Sequence, residues 1–152
     1  MKNNNTIILR IALAILFLSH SLHGIFTDND VNDFGNLFLN KVGFAPFGVP
    51  LAWGIVLSQA VGSIAFIFNK YIKPFSILFI FILLMGIILV HFREGWFVVG
   101  GGRNGVEFSF LLICVLSWLL ISETTDWVQK NGTQIQFLLL FKTYDYENKN
   151  FF

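Results

Sequence analysis

Four long apolar runs constrain this chain more than any other feature. They cover about Ile7–Phe26 (IILRIALAILFLSHSLHGIF), Leu51–Phe68, Phe75–His91 and Val106–Ile121. A helix of about 20 mostly apolar residues crosses the ~30 Å hydrocarbon core of a bilayer. The last two runs are slightly short, so their flanking residues are expected to snorkel or to sit at the interface. Composition points the same way. Of 152 residues, 55% are hydrophobic and only 12% are charged, and the mean hydropathy is +0.70. A soluble domain of this length could not hide so much apolar surface. The expected fold is therefore an all-α integral membrane protein, a bundle of four transmembrane helices.

Other classes are set aside on the same grounds. The net charge of +1 gives no electrostatic case for nucleic acid. The single cysteine, Cys114, makes no intrachain disulfide and no CxxC. The first run has Lys2 before it, as a signal peptide would. Arg10 splits that run, however, and no A-x-A site follows, so a retained helix is the reading. The chain divides into a membrane domain over residues 1–122 and a polar C-terminal tail over 123–152. Within the tail, the short run Ile135–Phe141 reads as a docked or interfacial segment, and the end, YDYENKNFF, as mobile.

Lysine and arginine set the expected orientation. The N-terminal segment, the second loop and the tail carry Lys2, Arg10, Lys70, Lys73, Lys130, Lys142 and Lys149. Both termini are therefore expected inside, with the first and third loops outside. In the first loop, Val31, Phe34, Leu37, Phe38 and Val42 fall on one helical face. They predict a short amphipathic helix lying at the interface, with Asp28 and Asp30 placed to cap its start. GFAPFGVP then turns the chain into the second span. Gly54, Ser58 and Gly62 form a small-residue face that would let another helix approach.

Polar groups at lipid depth each need an account. Arg10 near the inner end invites snorkelling or a bond to backbone carbonyls. Gln59, in mid-span, invites an interhelical hydrogen bond. His20 and His23 share one face by their i, i+3 spacing. With His91 they are expected at one level near the outer end. Three imidazoles there could hold a quinone carbonyl, relay protons or bind a metal; equally, they could bond loop carbonyls. No metal is assigned.

The third loop, REGWFVVGGGRNGVEF, interrupts the apolar pattern with Arg93, Glu94, Arg103 and Glu107. In one reading it simply turns, anchors through Trp96 and caps the fourth helix with Asn104 and Glu107. In another, its charges converge over the bundle mouth beside His91 and His20. GGGRNG lacks the spacing of a P-loop. DNDVND lacks the glycine and terminal glutamate of a calcium loop.

The residues RIALAILFLSHSLHGIF, GFAPFGVPLAWGIVLSQAVG and MGIILVHFREGWFVVGGGRNGVEFSFLLI together resemble the DoxX family of small four-helix bacterial membrane proteins, over about Ile8–Ile121. Arg10 and His20 match the family's pattern in the first helix, and His91 with Gly95 matches the one after the third. Asn104 and Glu107 match the start of the fourth. Ser21 departs from the usual glycine, and Gln59 stands where a glutamate is common. The resemblance implies a subunit of the inner membrane linked to redox chemistry, an oxidoreductase subunit rather than a self-standing enzyme, with a quinone as the suggested cofactor. The candidate ligand-binding residues are His20, His23, His91, Arg93, Arg103, Asn104 and Glu107. The rival readings are a non-enzymatic assembly or anchoring subunit, with a protein partner or a second copy, and a small-solute transporter acting as an oligomer.

Overall fold

The computed structural model describes residues 6–98 and 105–149, with backbone alone at 126, 130 and 137–149. The helices are α1 (Ile7–Phe26), α2 (Asp30–Asp33), the wide π-type helix π1 (Phe34–Phe44), α3 (Gly48–Ile67), α4 (Ile72–Gly86), the π-type turn π2 (Ile87–His91), α5 (Phe92–Glu94) and α6 (Val106–Lys149). Four stretches are long and apolar enough to cross a membrane: Ile7–Phe26, Gly48–Ile67, Ile72–Glu94 and Val106–Gln136. The protein is a multi-pass membrane protein, helical without strands among the described residues.

α1 packs on α3, and α4 packs on α6. Arg10, early in α1, reaches the carbonyl of Phe66, late in α3. Gly24, late in α1, faces Val56. These two helices are therefore antiparallel. Lys73 at the start of α4 lies over the ring of Trp127 in α6, 5.6 Å from its centroid. The other end of that pair is tied by Val106 N–H to the Gly95 carbonyl, so α4 and α6 are antiparallel too. The bundle thus has a terminal end, where α1 starts, and a loop end, where the first and third loops lie.

The turn from α3 to α4 is short. It places Asn69 and Tyr71 at positive φ, 54° and 53°, while the amides of Phe68 and Lys70 bond back to the carbonyls of Ile64 and Ala65. Pro74 falls in the first turn of α4, where no backbone N–H is needed for the helix.

The main core is assembled from all four spans: Leu13, Ala14 and Phe17 of α1, Phe66 of α3, Ile72 and Phe79 of α4, and Leu112, Leu116 and Leu119 of α6. Phe79 is its hub. Its ring lies 4.4 Å from Phe17, tilted, and 5.6 Å from Phe66, edge-on. Lipid tails are as apolar as these side chains, so close packing, rather than escape from water, holds the helices together. Gly62 serves that packing, because the rings of Phe75 and Phe79 occupy the space a Cβ would need. The expected small-residue face is therefore divided. Gly62 faces α4, Ser58 bonds to the Ile55 carbonyl of its own helix, and Gly54 opens outward.

The first loop is helical, as its periodicity predicts, but its packed face differs. Val31, Gly35 and Leu39 are the buried positions, whereas Phe34, Leu37 and Val42 are exposed. Gly35 and Gly48 meet backbone to backbone, so the closest approach to α3 is set by the residue without a side chain. The bulky residues are left facing outward, which lipid tolerates. Asp28 and Asp30 do not cap: α2 follows Asn29 at φ 60°, without a side-chain cap.

Beyond Ser122 the fourth span does not end. α6 continues unbroken to Lys149. Nothing between Ser122 and Lys149 is a proline. The change to polar residues does not stop the helix. Six residues of YDYENKNFF lie in this helix, and residues 150–152 lie outside the described part.

Candidate functional site at the loop end

The loop end collects the residues singled out above. On the α1 side, His20 and His23 are both exposed. His23 is engaged locally: its Nδ1 lies 3.5 Å from Thr27 Oγ1, and its Nε2 lies 4.0 Å from the Asp30 carboxylate. Asp30 therefore steadies the α1–α2 corner instead of capping α2. The first loop is fixed to α3 by two more bonds. Trp53 Nε1 donates to Asn32 Oδ1 at 3.0 Å, and Gly48 N–H donates to Asn40 Oδ1 at 2.9 Å. The sequence reading passed over Asn32, Asn40 and Trp53. A polar residue beside a Gly/Pro-rich turn is a usual donor or acceptor for that turn, so Asn40 was recoverable.

On the α4 side, His91 is half-buried and closes π2. π-type turns inside helices are rare and recur at functional sites. Arg93 and Glu94 follow on α5, both exposed. Glu107 is half-buried, and its carboxylate accepts the Val98 N–H at 2.9 Å. Its own N–H donates to the Trp96 carbonyl at 3.0 Å. So Glu107 reaches back to fasten the loop onto α6. Gly105 completes the closure, since the carbonyls of Trp96 and Phe97 fill the place of a Cβ. Trp96 packs on Phe110 with centroids 5.7 Å apart. Arg103, Asn104 and the run Gly100–Gly102 lie outside the described residues.

Among the described residues, no three His, Cys, Asp or Glu side chains gather closely enough to hold a metal ion. His20, His23 and His91 therefore form no such trio. The cause is topological: α1 is packed on α3, while His91 belongs to the α4–α6 pair.

A second set of polar groups is buried within the bundle. Arg10 is 4% exposed and Gln59 is 6% exposed. Arg10 Nη1 donates to the Phe66 carbonyl at 3.5 Å, near the C-terminus of α3, where carbonyls lack helical partners and the helix dipole favours a cation. Its Nε is buried without a partner, as is Gln59 Oε1. That oxygen therefore makes no interhelical bond. One turn along, Ser63 bonds to the Gln59 carbonyl at 2.7 Å. Ser76 on α4 is fully buried with an unpartnered hydroxyl. Ser63 and Ser76 escaped the sequence reading, because a serine in an apolar helix commonly bonds its own backbone and carries no signal.

A family model, DoxX, matches residues 6–92. The chain belongs to the DoxX family. The match takes in α1, α3, α4 and His91, so the resemblance to the family holds over this part of the chain. It stops short of Arg103, Asn104 and Glu107. No curated protein and no solved structure matches this DoxX chain.

Proposed function

We propose that this DoxX protein is a redox-linked membrane subunit that binds a quinone or a small anion at the loop end of the bundle and does not act as a self-standing enzyme. The observation that carries the reading is His91, half-buried on the π-type turn that ends the third span, just before the loop with Arg93 and Glu94. An imidazole there can donate to a quinone oxygen, and arginine from the loop can balance an anion. Arg93, Arg103 and Asn104 would supply donors, Glu107 would hold the loop in register, and His20 with His23 would line the α1 side. The protein would sit in the bacterial inner membrane, and the lysine and arginine distribution supports both termini in the cytoplasm. The test is extraction of the purified protein followed by mass spectrometry for bound quinone. Quinone retained by the native chain and lost in His91→Ala is expected. Equal quinone in both, or none in the native chain, would sink the reading.

A second reading, an assembly or anchoring subunit, is favoured by α6. At 1.5 Å per residue, its 44 residues extend about 66 Å, roughly twice the hydrocarbon thickness. The excess is an arm on which a protein partner or a second copy could dock. A fixed partner in stoichiometric amount, lost when the chain is cut after Trp127, would favour this reading over the first.

A further inference from the structure

The arm of α6 has an internal contradiction. Trp127 is held near Lys73 at the terminal end of the bundle. Tryptophan with lysine is the usual marker of a membrane interface. From Glu123 to Gln134 the helix is mostly polar, so hydrocarbon ends at about this level. Yet beyond it comes Ile135–Phe141, IQFLLLF, six of whose seven residues are apolar. The backbone there is helical. Seven helical residues span about two turns, so a run of this length places apolar positions on every side of the axis. A helix that is apolar all round is buried in protein or in lipid. A straight α6 would instead hold this segment in water, from about 12 Å beyond Trp127. Ile135 is already 57% exposed.

A second copy packed along the arm would cover a single stripe. Lipid can wrap more of the circumference, and the charge pattern selects it. Between Trp127 and Tyr144 the chain has Lys130 and Lys142 and no acidic residue. The run is thus flanked on both sides by cations that suit anionic head groups. Aromatics continue beyond it with Tyr144 and Tyr146. The arm also has a place to bend. Gly132 is exposed, with nothing within 4 Å of the position of its Cβ, and glycine is the weakest helix former after proline.

We propose that in a bilayer α6 bends near Gly132 and lays residues 135–141 into the leaflet at the terminal end of the bundle, as an interfacial anchor on anionic lipid. Seven residues lie between Trp127 and Ile135, enough to return to the surface the helix has just left. Lys130 and Lys142 then lie at head-group level, and the apolar run sits at the acyl boundary.

The test uses the full chain in nanodiscs of phosphatidylethanolamine and phosphatidylglycerol, with Cys114→Ser as background. A spin label is placed at Leu139→Cys and, as a water-side reference, at Gln129→Cys. Collision with oxygen is compared with collision with a water-soluble nickel chelate. The expected result is a shift toward oxygen at position 139 relative to position 129. A label at 139 as open to nickel as that at 129 would overturn the proposal in favour of a free arm. A label shielded from both reagents would also overturn it. Spectral broadening that disappears on dilution with unlabelled chain would then identify the cover as a second copy.

Discussion

The two ends of the bundle are built by different means. At the terminal end and through the middle, Leu13, Phe17, Phe66, Ile72, Phe79, Leu116 and Leu119 close one core shared by all four spans. At the loop end the second core is small and local, with Val31, Leu39 and Ala52 joining only the first loop to α3. Across from it, π2 and α5 bury no residue at all. There the order comes from single hydrogen bonds: Trp53 to Asn32, Gly48 to Asn40, and Val98 to Glu107. Side-chain packing welds one end, and a few polar bonds pin the other. The pinned end leaves His20 and Arg93 exposed and His91 half-buried.

The comparison breaks first at the hub of the large core. Phe79→Ala should destabilise the protein by about 3–5 kcal/mol, the usual range for emptying a buried aromatic site, read as unfolding in mixed micelles. A loss no larger than that of a surface substitution would mean the ends are equally loose. The first loop should respond next. Gly35→Val places a side chain against the backbone at Val49 and should cost about 1–3 kcal/mol by overpacking. Faster amide exchange in π1, with α4 unchanged, would confirm that the damage stays at the loop end.

Arg10 sharpens the contrast from the other side. A buried charge with one long carbonyl bond is weak evidence for stability, and an apolar residue of similar length is often neutral or better. Arg10→Met should therefore leave micelle unfolding unchanged or raise it. A clear loss would show that the guanidinium holds the C-terminus of α3. A small and local effect is expected at Glu107. Glu107→Ala frees the Val98 amide at an exposed site, so about 0.5–1.5 kcal/mol is at stake. The sign would be faster exchange at Val98 with global stability nearly unchanged, whereas Glu107→Gln, which keeps an acceptor, should restore most of the protection.

Much of this was legible in the residues. Each apolar run is at or near spanning length, and lipid permits few other solutions for backbone polar groups than a helix. The number and type of spans were therefore determined locally. Arg10 at a carbonyl and the helical first loop were readable as well, from a cation in an apolar run and from periodicity. The packed face of the first loop was not. Period alone favours Phe34 and Leu37, but Gly35 wins because Gly48 lies opposite it, a fact about two segments brought together in space. The end of α6 was misread for a related reason: polarity reports the solvent around a helix and not its continuation. The histidines show the limit most clearly. The sequence put His20, His23 and His91 near the same depth, which chain direction alone decides. Whether they meet depends on which helix packs on which. Only the tertiary structure decided that α1 pairs with α3 and α4 with α6, because helices of nearly uniform apolarity carry no local mark of their partners.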